Sequence, residues 1–177
     1  MIAKLVIRTL IWLAITGALL FVSAGTVLWP EALVLLAEFG VVGLASGIAI
    51  GRSDPALLRE RMSPPIQRDQ KSWDKVVIVL LGTLWMSQYV VAGLDAVRFH
   101  ASDVPLWLKV VGALGIAFGF YAFHAVMREN TFAAAVVKIQ AERKHEVIST
   151  GPYAVVRHPM YAGAIPMIVG TPLLLGS

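Results

Sequence analysis

Three long runs in the interior of the sequence contain no Asp, Glu, Lys or Arg, and they restrict the fold more than any other feature. They cover residues 9–30, 76–94 and 110–127, and are 22, 19 and 18 residues long. A helix needs about 20 mostly apolar residues to cross about 30 Å of hydrocarbon. The three runs therefore predict membrane-spanning helices.

The composition narrows the functional classes. The chain is 58% hydrophobic and only 15% charged, whereas soluble domains carry about 25% charged residues. It contains no cysteine, which excludes disulfides, thiol nucleophiles and zinc sites built on cysteine. The net charge of +4 does not predict nucleic-acid binding, because the basic residues flank apolar runs, where membrane topology and anionic lipid account for them better.

Five apolar segments predict an all-α integral membrane protein, a bundle of about five transmembrane helices. We expect them at about 5–28, 32–50, 76–97, 106–127 and from 159 to the end of the chain. Residues 1–127 then form a four-helix transmembrane region, and residues 128–177 form a separate segment that ends in the start of a fifth helix. In the fourth segment, the spacing of Gly112, Gly115 and Gly119 predicts a close helix contact.

The basic residues predict the orientation in the membrane. Thirteen of the 15 Lys and Arg residues lie at the N-terminus or in the two long polar stretches, 51–75 and 128–158, and only Arg98 and Lys109 lie on the other side. Cytoplasmic loops carry an excess of basic residues. We therefore expect a multi-pass protein of the cell membrane with its N-terminus and both long loops in the cytoplasm.

The second polar stretch ends in a predicted turn and helix start. Gly151-Pro152 favours a turn, and Pro159 suits the first position of a helix. The start of that helix, beside Arg157 and His158, would present N–H groups and a partial positive charge to the cytoplasm, which is an arrangement that binds anions. The alternative is that Arg157 and His158 are ordinary interface residues.

Residues 123–177 resemble the isoprenylcysteine carboxyl methyltransferases and their bacterial relatives, whose superfamily also includes phospholipid methyltransferases. The resemblance lies in the stretch HEVISTGPYAVVRHPMYAG at 145–163, in RENTF at 128–132, and in the spacing of both from Gln140. It implies a membrane methyltransferase that uses S-adenosyl-L-methionine and has a cofactor segment on the cytoplasmic side. It also implies a lipophilic methyl acceptor that enters from the bilayer.

The resemblance assigns residues to the cofactor site position by position. The implied cofactor-binding residues are Gln140, His145, Glu146, Val147, Ile148, Tyr153, His158, Pro159, Met160 and Tyr161. Arg128, Glu129, Asn130 and Arg157 are implied as substrate-side or accessory residues. Aromatic faces such as those of Tyr153 and Tyr161 suit a sulfonium cation, and Gly163 would allow a close approach of backbone or ligand.

The resemblance also implies a further helical stretch, whose Arg and Glu complete the site. The chain ends at Ser177, before that stretch. We therefore expect either an incomplete chain, and hence a catalytically incomplete membrane protein, or a partner chain or second copy that supplies the missing wall.

Other interpretations stay open. One is an NADPH-dependent sterol-type reductase, although no basic cluster is dedicated to a 2′-phosphate. Another is a non-catalytic membrane scaffold. Glu38 in the second segment could serve helix packing or a substrate path, or reach water at the outer interface. His124 could face the cytoplasmic pocket, but helix packing is the simpler expectation.

Overall fold

The computed structural model describes residues 1–66, 70–131 and 148–177, and these residues are helical with no strand. The α-helices are α1 (Ile2–Ala24), α2 (Pro30–Ser53), α3 (Pro55–Arg61), α4 (Ser72–Ala92), α5 (Leu106–Glu129) and α6 (Pro159–Leu175). A π-helical turn, Gly93–Phe99, extends α4, and a 3₁₀ turn, Gly151–Ala154, precedes α6. The predicted all-helical bundle is confirmed.

Four helices are long and apolar enough to cross a membrane: α1, α2, α5, and α4 together with its π-helical extension. Helix α6 is apolar but has only 17 residues. Large apolar side chains face outward, including Leu28, which is 86% exposed, and Leu106, which is 75% exposed. In water such a surface would aggregate, so it fits a multi-pass protein whose outer face contacts lipid.

The end of α1 differs from the prediction. The helix ends at Ala24 and not near residue 28, because Gly25 adopts a left-handed conformation with φ 75° and donates its N–H to the Phe21 carbonyl. Glycine is the residue that ends helices in this way at little cost. Hydropathy alone does not detect such an end, because the residues that follow are apolar too.

Helices α5 and α6 pack at very short range through glycines. A Cβ atom built on Gly112 would lie 2.6 Å from the backbone oxygen of Gly170, and one on Gly119 would lie 2.7 Å from the oxygen of Gly163. Small residues allow the backbones of membrane helices to approach closely. The helix contact predicted from these glycines is confirmed, and Gly163 serves this contact.

Glu38 lies within the span of α2 and is half-buried. Its Oε2 atom is buried and has no hydrogen-bond partner in the part of the chain that the structure describes. One of its two carboxylate oxygens is thus shielded from solvent, and both interpretations of Glu38 stay predictions. We assign no function to it.

Candidate functional site

The end of α5, the 3₁₀ turn and the start of α6 bring several predicted site residues to one end of the bundle. This end, the signature end, is defined by Asn130, Tyr153 and His158. It is where α5 ends and α6 begins, and where the short helix α3 packs. A small core of Ile50, Leu57 and Leu58 holds the three helices together there, with Met127 of α5 and Met160 of α6 packed against it. Met160, predicted to bind cofactor, thus also anchors α6.

Tyr153 is tied directly to the end of α5. Its hydroxyl accepts a hydrogen bond from Asn130 Nδ2 at 2.7 Å, and both residues are half-buried. The bond crosses 23 residues of sequence, so it fixes the 3₁₀ turn against α5. The bond therefore orients the Tyr153 ring relative to α5.

The residues before Tyr153 add a second tie to α5. Gly151 has φ 56°, which an L side chain rarely adopts, and a Cβ built on it would lie 2.9 Å from the Glu129 carboxyl group. Thr150 donates its hydroxyl hydrogen to the same carboxylate. The turn predicted at Gly151-Pro152 is confirmed, and its positive φ favours glycine at position 151.

The start of α6 lies at the predicted position. Pro159 is the first helical residue and is buried, while His158 just before it is exposed. The His158 and Tyr161 rings lie 5.5 Å apart at 30°. The Tyr161 N–H donates to the His158 carbonyl at 3.0 Å and Pro159 has no N–H. This helix start therefore presents fewer N–H donors to an anion than we expected from the sequence.

Asp54 is a residue of this end that the sequence analysis missed. Its Oδ1 accepts the Leu57 N–H at 2.9 Å and so caps α3, and its Oδ2 accepts the Thr131 hydroxyl just beyond α5. An Asp followed by Pro is a signal for a helix start, and it could have found the cap. The link to Thr131 could not have been found, because it joins residues 77 positions apart.

Replacing Asp54 by alanine is expected to lower the free energy of unfolding by about 1 kcal/mol, because the cap of α3 is lost. Asp54→Asn, which keeps an acceptor oxygen, is expected to lose less. Thermal unfolding in detergent measures both. Equal stability of Asp54→Ala and the unaltered protein would contradict the capping role.

The remaining predicted residues have different outcomes. Gln140, His145, Glu146 and Val147 lie outside the described residues. Ile148 is half-buried at the start of the described segment. Three others are exposed at the signature end: Arg128, Glu129 and Arg157. Tyr161 is 70% exposed.

Comparison with known proteins supports the resemblance. The family model of phospholipid methyltransferases matches residues 107–177, which include α5, the 3₁₀ turn and α6. No curated protein and no solved structure matches the chain. The matched segment is the part of the molecule that contributes Asn130, Tyr153 and His158. Residues 107–177 thus resemble the phospholipid methyltransferases, and the resemblance covers this part of the chain.

Proposed function

We propose that this protein transfers a methyl group from S-adenosyl-L-methionine to a lipophilic acceptor at the cytoplasmic face of the membrane. One observation carries the proposal. The segment that matches the phospholipid methyltransferases folds so that Asn130, Tyr153 and the start of α6 lie at the same end of the bundle.

The residues at this end fit the chemistry of the cofactor. S-adenosyl-L-methionine, when bound, supplies a methyl group on a sulfonium, and the acceptor's lone pair forms the new bond as the carbon–sulfur bond breaks. The ring of Tyr153, held by Asn130, can face the sulfonium cation. The start of α6 beside His158 suits the cofactor carboxylate, although Pro159 and the Tyr161–His158 bond reduce its free donors.

When the acceptor is a carboxylate, the protein does not need to supply a general base, because a carboxylate is already ionised. Its acceleration then comes from positioning the two reactants and from excluding water. The ties from Asn130 to Tyr153 and from Thr150 to Glu129 provide positioning, because they hold the turn rigidly against α5.

The proposed function is tested by ligand-induced stabilisation of the purified full chain. We expect S-adenosylhomocysteine to raise the melting temperature, since a ligand that binds only the folded state stabilises it, and NADPH to leave it unchanged. Stabilisation by NADPH alone would favour the reductase. A response to neither compound would contradict the proposal.

Removal of the Tyr153 hydroxyl is expected to weaken S-adenosylhomocysteine binding about fivefold, because the ring loses its hydrogen bond to Asn130 and becomes less ordered. Titration calorimetry of Tyr153→Phe measures the change. Tyr89→Phe is the matched control, because Tyr89 is buried in the core cluster that contains Leu174 and Leu175 at the far end of α6. Equal affinities of the two variants for S-adenosylhomocysteine would contradict a role of Tyr153 in binding the cofactor.

A further inference from the structure

Helices α2 and α5 lie side by side in a fixed register. Lys109 Nζ lies 2.6 Å from Glu31 Oε1 near one end of the pair, and Ser46 Oγ lies 2.8 Å from His124 Nδ1 near the other. Both contacts join residues 78 positions apart. The two helices therefore run in the same direction, and polar contacts hold them together at two levels.

Around the second of these contacts the helices leave a groove. Ala45 and Ala49 of α2 and Ala117 of α5 line it, and Phe120 and Tyr121 complete its apolar wall. The groove has a volume of about 350 Å³, within the range of about 300–1,000 Å³ for sites that bind small molecules. It exists because three alanines stand where larger side chains would close the space between the helices.

The groove opens sideways from the bundle. Ala45, Ala49, Ala117 and Tyr121 are all exposed along it, and both helices are long and apolar enough to span a membrane. A molecule that enters between two such helices comes from the hydrocarbon of the bilayer and not from water. The occupant must therefore carry an apolar chain.

The groove is not purely apolar, because the Ser46–His124 pair also lines it, with Ala49 the lining residue of α2 that is nearer the signature end. Within residues 1–66, 70–131 and 148–177, the hydrogen-bond partner of His124 is Ser46. His124 precedes Asn130 by six residues, which is about 9 Å along a helix. A lipid in the groove would bring its headgroup to the level of Asn130 and Tyr153.

We propose that this groove holds the apolar chain of the lipid that accepts the methyl group. The Ser46–His124 pair hydrogen-bonds a polar group of that lipid where its chain joins its headgroup. The proposal rests on the proposed function for the identity of the occupant as acceptor. It adds a binding site that includes α2, which lies outside the matched residues 107–177.

The first test is photolabelling of the full chain in nanodiscs of phosphatidylethanolamine and phosphatidylglycerol, with a photoactivatable acyl chain on the phosphatidylethanolamine. Peptides containing Ala45, Ala49 and Ala117 should be labelled several-fold more than the lipid-facing side of α4. Ala117→Leu should reduce that labelling to the level of α4, because the leucine fills the groove. Ala18→Leu, at an exposed alanine of α1, is the matched control and should change nothing.

The polar pair is tested in the same nanodiscs. Ser46→Ala and His124→Ala should each lower labelling of the groove about fivefold, the effect of losing one hydrogen bond, while Ser87→Ala on α4 should not. Labelling equal to that of α4, or unaffected by Ala117→Leu, would overturn the groove as a binding site.

A second measurement separates this proposal from the proposed function. Ala117→Leu should lower methyl transfer to the nanodisc lipid at least tenfold but leave stabilisation by S-adenosylhomocysteine unchanged. Unchanged methyl transfer by this variant would overturn the assignment of the occupant as acceptor. Failure of S-adenosylhomocysteine to stabilise the unaltered protein, with the groove still labelled, would overturn the proposed function and with it the occupant's role as acceptor, but not the lipid site.

Discussion

Replacing Gly112 by alanine is expected to lower the free energy of unfolding by about 3 kcal/mol, the upper part of the range for overpacking a tight contact. The added Cβ would lie 2.6 Å from both the Gly170 oxygen and the Leu174 nitrogen. Both are backbone atoms, so the collision cannot be relieved by rotating a side chain. Helices α5 and α6 would have to separate. Because these two helices also frame the signature end, its geometry would change as well.

Thermal unfolding in detergent measures this effect, and a loss of about 3 kcal/mol corresponds to roughly 10 °C in a chain of this size. Gly82→Ala is the matched control, because Gly82 also lies within a helix but has nothing within 4 Å of an added Cβ. That variant should be neutral or slightly stabilising, since alanine favours helix more than glycine does. Equal melting temperatures for the two variants would show that α5 and α6 do not pack as described.

Gly151→Ala is expected to lower the affinity for S-adenosylhomocysteine about tenfold while the protein still folds. A left-handed conformation costs an alanine about 1–2 kcal/mol, and the new Cβ would press on the Glu129 carboxyl group at 2.9 Å. The turn would relax away from α5, and Tyr153 would lose its position beside Asn130. Because a factor of ten corresponds to about 1.4 kcal/mol, the strain alone is large enough to produce the effect.

Gly25→Ala provides the matched control for the strain itself. Gly25 also has a positive φ, of 75°, but it ends α1 at the opposite end of the bundle from Tyr153. Both variants should lose similar stability, and only Gly151→Ala should lose affinity in calorimetric titration. A parallel loss of affinity in both would mean that binding follows general stability and not the geometry of the turn.

The membrane-spanning helices could be predicted because their signal is local. Each depends on a run of apolar residues long enough to span hydrocarbon, and α2, α4 and α5 lie within a few residues of their predicted bounds. The start of α6 was predicted for the same reason, because Pro159 acts on the backbone at its own position. The end of α1 was missed, since the conformation of Gly25 and not hydropathy determines it.

The segment that carries the candidate site could also be predicted from the sequence. The motif around Tyr153 and His158 indicated a methyltransferase segment, and the family match to residues 107–177 agrees. The glycines of α5 indicated a close helix contact, because small residues at helical spacing allow two helix backbones to approach each other. In each case, adjacent residues carry the information.

Contacts between distant residues were decided only by the tertiary structure. Asp54 is hydrogen-bonded to Thr131, and Ser46 to His124, across 77 and 78 positions of the sequence. The residues that flank each partner contain no signal that would predict the other partner. The sequence by itself determined that the chain forms apolar helices and carries a methyltransferase-like segment at its C-terminal part, since these depend on local composition and spacing. Only the packing of α2 against α5 decided that three alanines leave a groove beside a Ser–His pair, because helix register and rotation depend on the summed contacts of the whole bundle.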